Sequence, residues 1–257
     1  MFFPLWLGFA LTMDGLVSFR KGSSLLTRSV KQYIGLFLVS APAWWLFELI
    51  NLRTQNWHYM GVDSFSPFGY FLLASLNFST VIPAVFGIAE FVSTFPFIYK
   101  LKPGLVIRDN KKTTVAFFSI GWVLLALLLA WPRYFFPFVW ISIYFITEPL
   151  NIWFGHRNLV EGTRSGDWRV VMSLWIGALV TGFFWEMWNY WSYPKWVYQV
   201  PGVDFFRIFE MPILGYGGYL PFVLELHALY QMVRGFVGKK KSNFIDFDPS
   251  GENFPPV

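Results

Sequence analysis

The sequence predicts an all-α integral membrane protein, and three observations carry this prediction. Of the 257 residues, 55% are hydrophobic and only 14% are charged, whereas a soluble domain has about 25% charged residues. Apolar stretches long enough to cross a bilayer as a helix, roughly 20 residues each, recur along almost the whole chain. The Lys and Arg residues collect in alternate connections between these stretches, which is typical of a multi-pass membrane protein.

Each apolar stretch is expected to form one membrane-crossing helix. There are seven, at residues 2–18, 33–52, 66–98, 113–131, 134–153, 170–191 and 206–236. The third and seventh are longer than a perpendicular crossing needs, and residues such as Pro83, Pro212 and Gly215 predict breaks in them. The first stretch has no positively charged start and contains Asp14, so it is expected to be retained and not cleaved as a signal peptide.

The basic residues predict the orientation of these helices. One side of the predicted bundle takes 16 of the 20 Lys and Arg residues, and the other takes Arg53, Arg133, Lys195 and Arg207. Because cytoplasmic loops collect basic residues, the N-terminus is expected outside and the C-terminus in the cytoplasm, with the cell membrane as the location. The net charge of +5 then belongs to the cytoplasmic face, and no nucleic-acid partner is expected.

Two parts of the chain resemble each other. The segment FFPLWLGFALTMDGL at residues 2–16 returns as FFPFVWISIYFITEPL at residues 135–150, and residues 44–63 are echoed by residues 182–204. In these matches Asp14 corresponds to Glu148, and Glu48 and Asn51 correspond to Glu186 and Asn189. The near-constant offset predicts two copies of one unit.

The seven helices and the duplication together predict the domain organisation. It comprises a first three-helix repeat at 1–99, a cytoplasmic loop and linker helix at 100–133, a second three-helix repeat at 134–237 and a disordered cytoplasmic tail at 238–257. The linker helix lets the second copy start on the same side as the first, so the repeats are parallel. Sites in such proteins lie at the interface between repeats.

Acidic residues in apolar surroundings are expensive and mark candidate functional sites. Glu48 and Glu186 are the leading candidates for catalysis, together with Asn51 and Asn189 one helical turn later and with Glu210. Four further acids, Asp14, Glu90, Glu148 and Glu225, are expected toward the cytoplasmic ends of their helices. The Glu–Asn pairs are equally consistent with a polar clasp between helices.

Aromatic residues make up 22% of the chain, more than the belts at the two membrane surfaces need. Rings near the Glu–Asn pairs are candidates for binding an elongated apolar substrate and for stabilising a carbocation. These candidates are Trp44, Trp45, Trp57, Tyr59, Trp185, Trp188, Trp196, Tyr198 and Tyr216.

The chain has no Cys and three His residues, which excludes disulfides, iron–sulfur ligation, cysteine nucleophiles and a histidine-rich di-iron centre. His227, two residues after Glu225, is more typical of a core histidine than of a metal ligand. No metal site is expected, and phosphate-binding and Gly-x-Ser-x-Gly motifs are absent from the sequence.

The duplicated pattern resembles the small membrane-integral lycopene cyclases, which occur as heterodimers or as tandem fused copies. In that family the second helix of each copy ends with an acid followed by a Trp-containing outer loop, as Glu48…Trp57 and Glu186…Trp196 do here. In that family the third helix of each copy begins with a Pro-x-Glu-Glu/Asp motif followed by aromatic residues. Glu210-Met211-Pro212, followed by Tyr216, Tyr219 and Phe222, resembles this motif in part.

The resemblance implies an enzyme that protonates a terminal C=C of an isoprenoid or carotenoid-like substrate and closes or isomerises it without a cofactor. Two other classes fit the same features, a small proton-coupled transporter and a non-catalytic lipid-binding subunit. The oligomeric state is left open.

Overall fold

The protein is mostly helical, and a computed structural model describes residues 2–101, 104–238 and 245. Within these ranges the α-helices are α1 (Phe2–Lys21), α2 (Leu25–Arg28), α3 (Val30–Thr54), α4 (Pro67–Phe78), α5 (Val81–Ser93), α6 (Pro96–Tyr99), α7 (Lys111–Ala130), α8 (Pro132–Phe135), α9 (Ser142–Phe154), α10 (Val160–Thr163), α11 (Arg169–Tyr190) and α12 (Tyr219–Val237). The strands are β1 (Trp57–Met60), β2 (Lys195–Tyr198), β3 (Arg207–Ile208) and β4 (Met211–Pro212), and 3₁₀ turns occupy Val62–Ser64, Phe136–Trp140 and Ile213–Gly218.

Short polar side chains start several of these helices. Ser29 Oγ accepts a hydrogen bond from Gln32 N at the start of α3, and Asn110 Oδ1 accepts one from Thr113 N at the start of α7. Ser66 does the same at α4, where Pro67 occupies the first helical position. These side chains satisfy N–H groups that lack a partner in the first turn of a helix.

Six helical segments are long and apolar enough to cross a membrane: Phe2–Lys21, Val30–Thr54, Pro67–Ser93, Lys111–Ala130, Pro132–Phe154 and Arg169–Tyr190. They fall on the first six predicted stretches, so a multi-pass integral membrane protein is supported. The seventh predicted stretch, 206–236, is different. Its first part forms β3, β4 and a 3₁₀ turn, and only α12 is a continuous helix.

The third crossing is broken, as its prolines predict, but the break lies between α4 and α5 and not at Pro83, which is in the first turn of α5. Ser40 of α3 bridges the break, because its hydroxyl donates to Phe78 O at 2.6 Å and accepts from Ile82 N at 3.1 Å. A broken helix inside a membrane needs such partners for the main-chain groups that it frees.

The helices pack in the same way in the two halves of the chain. Helices α1 and α3 both pack on α5, and α9 and α11 both pack on α12. The halves meet where α5 crosses α11, at a close approach that Gly177 permits, since a Cβ there would lie 2.8 Å from Ala89 N. Helix α7 packs mainly on α9.

The bundle has two chemically different ends. At one, called here the aromatic end, β1 pairs antiparallel with β2, with Trp57 opposite Tyr198 and Tyr59 opposite Trp196. The ring of Phe2 contacts Trp196 there, with 5.5 Å between centroids. At the other, called the basic end, Arg20 donates a hydrogen bond to Thr94 Oγ1, and Arg234 donates one to Gln32 Oε1.

The predicted tail, 238–257, lies outside the described residues except for Gly238 and Ile245. Ile245 is buried, and its carbonyl oxygen accepts a hydrogen bond from Arg157 at 3.1 Å. This one residue is therefore packed against the bundle. The predicted domain boundaries stay predictions.

Candidate functional site

A cavity of about 670 Å³ lies at the aromatic end, between the two halves of the chain. Its walls come from the start of α1, from α4, from β1 and β2, from the 3₁₀ turn before α9 and from the start of α12. The size is within the range of pockets that bind small molecules, roughly 300–1,000 Å³. Six of the nine aromatic residues predicted to bind substrate line it: Trp44, Trp57, Tyr59, Trp185, Trp196 and Tyr198.

The other three predicted aromatic residues have different surroundings. Trp45 packs on Phe71 and Phe78 and donates to Ser75 Oγ. Trp188 packs on Trp6, Phe9 and Phe184. Tyr216 donates a hydrogen bond to the main-chain oxygen of Ile208, and burial raises its pKa. Their contacts are those of packing residues.

Glu48 lies one layer behind the cavity wall. Its Oε1 accepts three hydrogen bonds, from Trp44 Nε1 at 2.9 Å, Trp57 Nε1 at 3.0 Å and Tyr59 OH at 2.5 Å. All three donors line the cavity. Burial, with the carboxyl of Glu48 alongside, raises the pKa of Tyr59 well above its usual value, so this phenol keeps its proton and stays a donor.

Glu186 has a related environment in the second half of the chain. Its Oε1 accepts from Tyr198 OH and Tyr219 OH, both at 2.7 Å, and both tyrosines line the cavity. Burial, again with a carboxyl alongside, raises the pKa of Tyr198. Unlike Glu48, Glu186 is fully buried, and its Oε2 has no hydrogen-bond partner among the described residues. The two acids are therefore not equivalent.

The two predicted asparagines, Asn51 and Asn189, bind main-chain groups and not the two acids. Asn51 Nδ2 donates to Trp57 O at 2.8 Å, and its Oδ1 accepts from Asn56 N at 2.8 Å. Asn189 makes the same pair of bonds to the main chain of Trp196, at 2.8 and 2.9 Å. Each asparagine thus holds the strand that carries the aromatic donors, because its buried amide is close to a main chain that turns back over the helix end.

Glu210, the third predicted catalytic acid, is engaged by basic residues. It pairs with Lys195, and its Oε2 lies 3.7 Å from Arg207 Nη1. Of the two residues in this ion pair, Lys195 lines the cavity. Glu210 is therefore placed at the rim, where it neutralises the charge of Lys195.

Asp14 and Glu148 occupy matched positions and make matched contacts near the basic end. Asp14 accepts from Leu26 N at 3.0 Å and from Ser24 Oγ at 2.6 Å, at the start of α2. Glu148 accepts from the main-chain N–H groups of Leu159 and Val160, at the start of α10. Each acid caps a short helix that follows its own, which is a structural contact.

The remaining two acids lie at different depths. Glu90 is near the basic end and binds Arg28 through two oxygens, at 2.7 and 2.8 Å. Glu225 is in the second turn of α12, nearer the aromatic end, and accepts from Ile143 N at the start of α9. The expected cytoplasmic-side position of Glu225 is therefore corrected, because α12 begins only at Tyr219.

Sequence reasoning missed several residues of the site. Tyr219 is the most important, because it joins Glu186 to the cavity; Trp140, which stacks on Trp57 with 5.8 Å between centroids, is another. Tyr219 was visible as one of the aromatic residues after Glu210, but its partner lies 33 positions away. Only the packing of α12 on α11 brings them together.

Among the described residues, no group of three or more His, Cys, Asp or Glu side chains is placed to hold a metal ion. No protein-family model, curated protein or solved structure matches the chain. The function must therefore be argued from the cavity and the two acids behind its wall.

Proposed function

We propose that this chain is an integral membrane enzyme that protonates a long apolar isoprenoid or carotenoid-like substrate and cyclises or isomerises it. The observation that carries the proposal is that Glu48 and Glu186 each accept a hydrogen bond from at least one phenol that lines the cavity. Aromatic rings line much of the rest of the wall, and the faces of such rings stabilise cations. Phenols backed by carboxyls can deliver and remove protons without a cofactor.

The first step is proton delivery by Tyr219. When Glu186 is protonated, its hydroxyl donates to the phenol oxygen of Tyr219, whose own O–H then points to the cavity. Tyr219 gives this proton to a terminal C=C, forming a C–H bond and a tertiary carbocation, and takes the proton of Glu186 in exchange. The unpartnered Oε2 of Glu186 favours the neutral form, because an unpaired carboxylate oxygen is costly in an apolar interior.

The second step closes the ring and restores a double bond. The electron pair of a neighbouring C=C attacks the cation and forms a C–C bond. The new cation loses an adjacent proton to the oxygen of Tyr59, which passes its own proton to Glu48. The three hydrogen bonds that one oxygen of Glu48 accepts stabilise the carboxylate that this role needs, against the burial that favours the neutral acid. The substrate is isomerised, and return of the proton from Glu48 to Glu186 resets the enzyme.

We also propose the topology that the sequence predicts, seven crossings with α12 as the last, in two parallel repeats. The β1–β2 register supports the repeats. Trp57 corresponds to Trp196 and Tyr59 corresponds to Tyr198 in the two repeats. When each residue of the Trp57–Tyr198 pair is replaced by its counterpart, the result is the Trp196–Tyr59 pair, which is also present, as a two-fold axis along the bundle requires. The basic residues support an external N-terminus and a cytoplasmic C-terminus in the cell membrane.

Expression in a host that accumulates lycopene and linear hydroxylated carotenoids tests the function. We expect a cyclic or isomerised product by chromatography, and a loss of rate of about 100-fold or more in Glu186→Gln and Tyr219→Phe. Tyr134→Phe, at an exposed site on α8, is the matched control. A product profile identical to the empty vector across these substrates refutes the proposal.

A non-catalytic lipid-binding subunit is the second candidate. The three hydrogen bonds to Glu48 Oε1 favour it, since an acid held by three donors also serves as a clasp between a helix and its loop. In that case Glu48→Gln and Glu186→Gln lower the unfolding temperature of the purified protein and change no lipid or pigment. Variants that keep wild-type stability but lose product formation exclude this candidate.

A further inference from the structure

Asn77 is a polar residue among those that helix α4 contributes to the cavity wall. It lies in the last turn of α4, whose sequence is PFGYFLLASLNF. Its side chain lines the cavity, and its Oδ1 is buried without a hydrogen-bond partner among the described residues. Because an unpaired amide oxygen is unfavourable in an apolar interior, a ligand that offers a donor favours a half-turn of the side-chain amide that brings this buried oxygen to the cavity surface.

The position of Asn77 is fixed by its main chain. The carbonyl oxygen of Asn77 accepts hydrogen bonds from Thr80 N at 3.2 Å and from Thr80 Oγ1 at 2.7 Å. These bonds hold the end of α4 beside the break that Ser40 bridges. The amide of Asn77 is therefore presented from a rigid turn, as a ligand-recognising group needs.

The charges of the cavity exclude a strongly anionic ligand. Within the described residues, Lys195 is the one charged side chain that lines the cavity, and it is paired with Glu210. Diphosphate groups are normally bound by several basic side chains or by a metal. A wall with one neutralised cation suits an uncharged molecule.

We propose that the cavity binds an uncharged isoprenoid whose hydroxyl group donates a hydrogen bond to Asn77 Oδ1. This inference rests on the proposed function and narrows its substrate class. The stacked rings of the wall, such as Trp57 on Trp140, favour an unsaturated chain over a saturated acyl chain. A site built to bond a hydroxyl discriminates strongly against the analogue that lacks it.

Binding of three probes with one C20 chain tests the proposal without turnover. The probes are geranylgeraniol, its methyl ether, which has no donor, and geranylgeranyl diphosphate. Quenching of tryptophan fluorescence reports binding, because five Trp residues line the cavity: Trp44, Trp57, Trp140, Trp185 and Trp196. We expect the alcohol to bind the purified full-length protein in detergent at least tenfold tighter than either of the others.

Asn77→Leu identifies the group responsible. We expect it to reduce the alcohol-to-ether preference to less than threefold, while Ser79→Ala, two residues further along, leaves the preference unchanged. Equal binding of alcohol and ether by the wild type overturns the inference and needs no variant. An unchanged preference in Asn77→Leu overturns the role of Asn77.

Two further measurements distinguish this proposal from the binding of other uncharged lipids and from the proposed reaction. Monoolein, an uncharged lipid with hydroxyl groups, is the competitor; displacement of geranylgeraniol at equal concentration overturns the isoprenoid class. Product formation in the carotenoid-accumulating host is measured separately. If the wild type forms product but binds alcohol and ether equally, the hydroxyl contact alone is refuted. If it prefers the alcohol but forms no product, the proposed reaction alone is refuted.

Discussion

Gly182 gives the sharpest test of how Tyr219 reaches Glu186. Gly182 is in α11, one turn before Glu186, and a Cβ at this position would lie 2.5 Å from Tyr219 Cε2. The hydroxyl of this same ring is 2.7 Å from Glu186 Oε1. Ala at position 182 therefore forces the ring aside and breaks the hydrogen bond.

The magnitude follows from two opposing effects. Overpacking costs about 1–3 kcal/mol, and replacement of Gly by Ala within a helix gains about 1 kcal/mol. With Tyr219 present and its hydrogen bond lost as well, we expect Gly182→Ala to reduce the free energy of unfolding by about 1–3 kcal/mol. In a Tyr219→Ala background the clash is absent, so the same change should stabilise by about 1 kcal/mol.

The assay is a double-mutant cycle in mixed micelles, with the free energy of unfolding measured by titration with SDS. Gly15→Ala in α1 is the control, because nothing lies within 4 Å of its Cβ position, and it should be neutral or stabilising. We expect a coupling energy of about 2 kcal/mol or more between positions 182 and 219. An equal effect of Gly182→Ala in both backgrounds refutes the packing argument.

Two further predictions concern the loop and the topology. Asn51→Leu removes the hydrogen-bond partners of two main-chain groups, Asn56 N and Trp57 O. Because each buried group left without a partner costs about 1–3 kcal/mol, we expect the free energy of unfolding, measured by SDS titration, to fall by about 3 kcal/mol. Asn110→Ala, which removes an exposed cap, should cost only about 1 kcal/mol, and equal losses contradict the role of Asn51. Because the chain has no Cys, an impermeant maleimide applied to intact cells should label Asp63→Cys at once and Arg164→Cys only after lysis; the opposite pattern reverses the proposed orientation.

Hydropathy predicted six of the crossings because each is a long apolar helical segment with few charges. Residues 206–236 are more than one crossing helix, as Pro212 and Gly215 predict, because apolar residues of the first part such as Met211 and Leu214 line the cavity from strands and turns, and α12 begins only at Tyr219. Apolar composition does not distinguish a residue that faces lipid from one that faces a cavity. Buried polar residues in α12, such as Glu225 and His227, further lower its apolar character.

The candidate site was predicted in part, and the failures have a physical reason. The spacing of Glu48 and Asn51 correctly places both on α3, but it cannot show that the chain turns back within five residues and offers its main chain to Asn51. Similarly, Asp14 and Glu148 were found as a matched pair, whereas their partners lie on short helices after each. Contacts that depend on loop paths are not encoded in the periodicity of a helix.

The two halves differ in the groups that surround Glu48 and Glu186, and that difference supports the chemistry we propose. In the first half, Trp44 and Trp57 donate their indole N–H groups to Glu48. The sequence match places Gly182 where Trp44 stands, and Trp196 where Trp57 stands.

Neither of these counterparts donates to Glu186. Gly182 has no side chain, and Trp196 Nε1 donates to Tyr198 OH instead. The space above Gly182 is filled by the ring of Tyr219, which bonds Glu186 from α12. Two indoles in one half are thus replaced by one phenol in the other. Because an indole N–H donates but does not relay a proton, whereas a phenol does both, the half with Tyr219 is the one suited to deliver a proton, and the half with Trp44 is suited to hold a carboxylate that receives it.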